Sequence, residues 1–394
     1  MCVMLTNVYS SDIGYPPWFD YDQTKGNHRS LREYLQKNNL DPTKINITEL
    51  QVATANFGGI KTDVKAQGAV LCWPTPWHGT VTSEAARLQV DAGARAIVFD
   101  IWPDPSHHTA PIIACMMDMN SGNRNIESWW ADRGLKSYGT QSTYSNWKRL
   151  TRKNMESTGD ILKTAVGEAF ADNNIQSEDP FFLILNLHGV LSESYLNNLA
   201  EIIHNATDGK RYHPHANMSP RLCDNTVDKI FGKVMIIMNP DIPDNMDRAT
   251  LNDMYWKPGT RIANVTNILT GSEHKIVFRP SEIGEITSGK YTDCNGSGSK
   301  PLPVSTLCCV QPSIGGIYTD NDTIFKPSNF QTCMATGAQF VAVNVFGAGP
   351  TGTGSASGNS AGDQDSTLQA WLDPSNFGKY SFKYKKLAKK PTTK

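Results

Sequence analysis

The chain has 394 residues, 39% of them hydrophobic, and a formal net charge of −1. That size suits one large domain or two ordinary ones and supports a sizeable core. A near-neutral balance gives no global field that would gather nucleic acid or an anionic membrane. No apolar run reaches the roughly 20 residues that span a bilayer, and the opening MCVMLTNVYSSD lacks the basic and apolar regions of a secretory leader, so the chain is expected to remain unsecreted.

In chain order, residues 27–38 predict a short amphipathic helix, and DPTKINITEL a turn and a strand. VATANFGGI (52–60) reads as a strand entering a loop. Residues 82–92 predict a helix with Ala85, Leu88 and Ala92 on one face, stopped by Gly93. Apolar runs at 96–101 and 110–117 follow, then a helix over 160–170, a strand over 181–187, and a helix over 192–204. Further strands are expected at 233–238, 340–346 and 380–384. Strands apolar on both faces, alternating with amphipathic helices, belong in a parallel sheet covered by helices. At this length the expectation is an α/β fold of the TIM-type (β/α) barrel kind with loop insertions. No phosphate-binding glycine loop follows an early strand. Candidate insertions fall at 72–79, 120–154 and 347–365, the last rich in Gly and Ser.

Eight cysteines are scattered without a C-x-x-C pair, which predicts buried free thiols rather than a zinc site. His213 and His215 with Cys223 fit no metal spacing, and no cofactor is expected. Trp129 and Trp130, side by side in the second insertion, are candidate interface anchors. The last twelve residues hold six lysines; Lys385, Lys386, Lys389 and Lys390 are candidates for contact with a partner.

The ordered fragments GARAIVFDIW, APIIACM, PFFLILNLH, GKVMIIMN, GAQFVAVNVF and FGKYSFKY resemble the catalytic barrel of phosphatidylinositol-specific phospholipase C. Within that family the chain is most similar to a divergent branch of large double-stranded DNA viruses, in which a loop like VATANFGGI replaces an S-H-N-T-Y motif. The resemblance implies a barrel over 51–387, with residues 1–50 packed on it as an extension and 388–394 as a basic tail. It also implies a reaction run by two imidazoles and a Ca²⁺ ion held by carboxylates and an amide. In this sequence the imidazole positions fall at Ala55 and Cys115. The ligand positions fall at Asn56, Val98, Asp100 and Asn186, and the phosphate-binding cations at Ile237, Asn239 and near Cys309. Tyr380 and Lys383 match at the end, and Lys233 at the start of its strand reads as a snorkelling lysine.

These six positions, Ala55, Asn56, Val98, Asp100, Cys115 and Asn186, are therefore read as a vestigial site that holds no metal. For Asp100 and Trp102 the favoured expectation is that loop amides donate to the carboxylate and the indole packs under Pro103 and Pro105. The resemblance then implies a catalytically lapsed barrel with a structural or docking role among other protein subunits. It would be a virion component, such as a minor capsid protein, found in the virion or host cytoplasm. The alternative is a divergent phosphodiesterase in which Cys115, His78, His107 or His108 supplies the lost chemistry.

Overall fold

A computed structural model describes residues 28–57, 83–104, 107–113, 116–118, 147–149, 156–188, 192–207, 209–212, 225–240, 253, 257, 259–269, 277–278, 307–311, 330, 333–335, 337–343 and 376–385. The strands β1 (Leu50–Asn56), β2 (Ala96–Pro103), β6 (Phe181–Leu187) and β7 (Val234–Pro240) are buried along nearly their whole length. Such strands need cover on both faces, and they find it in a parallel sheet.

The sheet runs β1–β2–β6–β7–β8 in one direction, with β8 at Ile268–Leu269, and β1–β11–β10–β9 in the other. Here β9 is Val277–Phe278, β10 Cys309–Val310 and β11 Phe340–Val343. All seven neighbouring pairs are parallel. Eight parallel strands thus follow one another in chain order, and the two at the ends of the path are consecutive in sequence. That is the order of a (β/α) barrel, and the expected fold class holds.

Alternation along the strands separates two apolar layers. Ala53, Ala55, Ile97, Phe99, Leu183, Leu185, Ile236 and Met238 face the helices α2 (Ser83–Asp91), α3 (Thr158–Ala169) and α4 (Glu193–Thr207). Val52, Val98, Phe182, Ile184, Met235, Ile237, Cys309 and Phe340 form the barrel interior. Its N-terminal end is closed by α1 (Leu31–Lys37) through Leu31 and Leu35, and by Ile45, Ile47, Val227 and Ile230. The predicted first helix is present but starts at Leu31, where Ser30 Oγ accepts from the Glu33 N–H. A short α5 (Arg261–Val265) precedes β8.

The apolar run 110–117 is not one barrel strand. It divides into β3 (Pro111–Ile113), antiparallel to the end of β2, and β4 (Met116–Asp118), antiparallel to β5 (Trp147–Arg149) in a separate two-stranded sheet. The closing strand β12 (Phe382–Tyr384) is likewise antiparallel, returning along β1 toward its start. Lys385, a candidate for contact with a partner, is instead buried, its N–H donating to the Glu49 carbonyl. Burial lowers its ammonium to about 8. The Lys386, Lys389, Lys390, Trp129, Trp130 and Cys115 expectations lie outside the described residues, as do His78, His213, His215 and Cys223.

His28 ties the chain's first described residues to the barrel. Gly93, at φ +98°, leaves the space its ring fills: a Cβ there would lie 2.4–2.8 Å from the ring atoms. Burial lowers the imidazole from its ordinary 6.5 to about 4; the Ala92 carbonyl opposes that shift and Arg95 adds to it. The folded chain therefore holds His28 neutral. Its contribution to stability is full above pH 6.5 and is lost as pH falls toward 4, amounting to about 3 kcal/mol. Over the same fall from about pH 7 to pH 4.5 Asp179, raised by burial to about 7, contributes in the opposite sense, so the effect is read as a difference: wild type should lose more urea stability than His28→Gln. An equal acid loss in that variant would assign the effect to other groups.

Candidate functional site

Near the C-terminal ends of the strands the interior turns from apolar to polar. One step beyond Val98, Ile184 and Ile237, the inward positions are Asp100, Asn186 and Asn239, aligned in register across β2, β6 and β7. Asn56 ends β1 and Gln311 follows β10. Catalytic side chains of such barrels come from this end.

The belt is hydrogen-bonded to itself. Asn186 Nδ2 donates to Asp100 Oδ1 at 2.9 Å and to Gln311 Oε1 at 3.1 Å, while its Oδ1 accepts from Asn239 Nδ2 at 2.9 Å. His188 Nε2 lies 2.9 Å from the same Asp100 oxygen. A carboxylate only accepts, so Nε2 carries the shared proton. His188 arrives there because its backbone N–H continues the β6 ladder to the Ile101 carbonyl, placing its side chain on the same face as Asn186. The imidazole stacks on Trp102, with centroids 4.2 Å apart and planes 23° apart. The His188 side chain is 4% exposed and that of Asp100 17%.

This corrects two expectations. Asp100 takes donors from side chains of β6 and of the residue just after it, not solely from loop amides; and fully buried Trp102 packs on an imidazole rather than simply beneath prolines. Of the six vestigial positions, the structure brings together Asp100 and Asn186. Val98 lies a layer deeper and Asn56 ends the neighbouring strand. Ala55 faces the helix layer, because adjacent strand residues point to opposite faces. Tyr380 and Lys383 lie toward the N-terminal end, the first beside Tyr34 and the second opposite Gln51. His107 and His108 are exposed in the turn between β2 and β3.

His188 and Gln311 were not singled out from the sequence. The signal for His188 was its spacing: Asn186 and His188 share a face, as do Asp100 and Trp102, and both pairs end an apolar run.

A calcium ion does not fit this donor set. Ca²⁺ takes six to eight oxygens and is held mostly by carboxylates and carbonyls. Here the described residues supply one carboxylate, its Oδ1 already receives two N–H groups, and Asn186 turns its NH₂ rather than its oxygen toward Asp100. Among the described residues no group of three or more His, Cys, Asp or Glu is placed to hold a metal. None of the eight parallel strands carries a lysine or arginine: Ile237 belongs to the apolar interior and Lys233 precedes β7 at the opposite end.

No family model and no curated protein matches the chain. Among solved structures it is similar to PLC21 of L. pealei, at 13% identity and a TM-score of 0.40 over 80% of this chain and 37% of that one. PLC21 of S. officinalis gives 13% and 0.39 over the same shares. The chain therefore spans little more than a third of those proteins. A calcium-dependent phosphoinositol-specific phospholipase C from Pseudomonas sp gives 12% and 0.42 over 87% of this chain and 97% of that one. These are likenesses of fold; the barrel assignment rests on strand order and pairing. Among the described residues no helix is long and apolar enough to cross a membrane.

Proposed function

We propose that this barrel is catalytically silent and serves a structural or docking role among other protein subunits. We propose further that it is a virion component of a large DNA virus, in the manner of a minor capsid protein. What carries the first part is the occupation of Asp100 Oδ1 by the chain's own Asn186 and His188. Cleaving a phosphodiester requires a proton carrier that reaches the substrate and positive charge for the phosphate. Among the described residues the belt offers one carboxylate, the hydrogen-bonded amides of Asn186, Asn239 and Gln311, and an imidazole sealed under Trp102. The virion part rests on the sequence resemblance alone.

A second reading has one specific observation in its favour. An Asp–His pair at the C-terminal end of a barrel is a common general-base arrangement, the carboxylate orienting the ring. A divergent phosphodiesterase could be built on Asp100 and His188 if the ring were uncovered. Its near-complete burial and the absence of lysine and arginine from the eight parallel strands favour the silent barrel.

The docking role is tested by purifying native particles or complexes that contain the chain. A fixed, stoichiometric amount is expected; recovery only as a freely diffusing monomer would overturn it.

A further inference from the structure

At the barrel's N-terminal end, the segments that lead into β7 carry a surplus of positive charge. Arg211 bridges to Val234 at the start of β7, the Val234 N–H donates to the Lys210 carbonyl at 2.8 Å, and Lys233 directly precedes Val234. The short turn Val227–Lys229 brings up Lys229. Arg32 of α1 joins the same patch. Its guanidinium carbon lies 4.2 Å from the centre of the Phe231 ring, and its Nε lies 2.8 Å from Glu178 Oε2. The Gly232 N–H donates to the Glu178 carbonyl at 2.6 Å, which ties that acid's segment to the approach to β7.

Glu178 is thus taken by Arg32. Among the described residues no carboxylate forms an ion pair with Lys210, Arg211, Lys229 or Lys233, and Asp228 is the remaining acid of this stretch. Lys210 and Lys229 are exposed and Lys233 is half-buried. Arg211 is 8% exposed; its Nε and Nη1 are sealed without an acceptor, so Nη2 is the nitrogen that can meet an incoming acid. Burial alone lowers its guanidinium, with no neighbouring charge pulling against it. The whole chain carries a formal charge of −1, so the surplus is a property of this face and not of the protein at large. The chain also leaves the same end at Lys385, and Lys386, Lys389 and Lys390 follow in sequence.

Two features favour carboxylates of a protein over phosphates of a nucleic acid. Helices α2, α3 and α4 end at this side of the barrel, so their N-terminal amides, which would cradle a phosphate, lie at the other. The Phe231 ring carries Arg32 on its face, and Lys210 Nζ rests 5.4 Å from the centre of the Phe170 ring, where a base would otherwise stack.

We propose that Arg32, Lys210, Arg211, Lys229 and Lys233 form a docking surface for a carboxylate-rich segment of a partner protein. The inference rests on the docking role proposed above and names the chemistry of its partner. The whole chain is titrated by fluorescence anisotropy at neutral pH and low salt with a labelled, capped peptide of alternating glycine and glutamate, with its glycine–glutamine counterpart, and with a short oligothymidylate. Saturable binding of the glutamate peptide is expected, weakened by added salt, with none of the glutamine peptide. Lys210→Gln/Lys229→Gln alters exposed side chains alone and should weaken binding at least about threefold; adding Lys233→Gln should bring the loss to about tenfold. Lys163→Gln, exposed on α3, should bind as the wild type does. No saturable binding of the glutamate peptide, unchanged affinity in both variants, or tighter binding of the oligothymidylate would overturn the assignment. A chain present in fixed amount in native particles yet failing this titration would sink the surface and leave the docking role standing.

Discussion

Replacing Arg95 with leucine should destabilise the protein by about 3–5 kcal/mol, a large share of the whole stability of a typical domain. Arg95 opens the turn into β2 and is fully buried. Its guanidinium donates to the carbonyls of Ala169 at 3.0 Å, Asp179 at 2.8 Å and Pro180 at 3.4 Å, joining the end of α3 to the start of β6. It also faces the Asp179 carboxylate, whose two oxygens each accept the Leu31 N–H at 2.9 Å, and so pins the start of α1. Burial pushes the Asp179 carboxyl up, to about 7, and Arg95 pulls against it. Leucine leaves three carbonyls unsatisfied and an acid without its counter-charge. Arg95→Leu/Asp179→Asn should recover part of the loss, since the amide still accepts from Leu31 without carrying charge. Lysine should fall between, because one ammonium cannot span three carbonyls in the plane a guanidinium does. The measurement is the urea unfolding midpoint; a loss under about 1 kcal/mol for leucine would show that the carbonyls find other donors.

Trp102→Ala should cost about 3–5 kcal/mol, the range for emptying a fully buried aromatic site. Its effect should also be local and readable. Without the indole, His188 loses its stacked cover and the Asp100–His188 contact opens to solvent. Trp102→Phe keeps an aromatic face and should cost less than the alanine change. Unfolding curves give the first quantity, and the rate of hydrogen–deuterium exchange at the His188 ring Cε1 gives the second. A ring no more accessible in the alanine variant than in the wild type would mean that other groups seal it.

Much of the fold was legible because its strands are apolar on both faces. The runs at 96–101, 181–187 and 233–238 could be nothing but buried strands, and helices with clear one-sided faces stood between them. What closed the barrel was not legible. β8, β9 and β10 are two residues each, too short for any period to register, and only pairing to a formed neighbour makes them strands. The run at 110–117 misled for the opposite reason: it has strand composition, but the turn at 104–110 reverses the chain and makes the pairing antiparallel.

In the site, Asp100 and Asn186 were found by likeness, while Ala55 was drawn in by the same likeness although alternation sends it to the helix layer. The partners of Asp100 lie 86 and 88 residues away, so a one-dimensional reading had no means of joining them. The run of lysines makes Lys385 look like its neighbours, a candidate for contact with a partner. The alternation of β12, with Phe382 inside, was the better guide to where the chain stays packed.

On the proposed reading the belt around Asp100, closed by the chain's own donors, does no chemistry. Its most direct test is release of soluble inositol phosphate from phosphatidylinositol vesicles, and hydrolysis of a soluble cyclic phosphodiester, with added calcium or with EDTA. Rates equal to the protein-free blank are expected under all four conditions. Saturable turnover that disappears in Asp100→Asn, with the melting temperature unchanged, would contradict it.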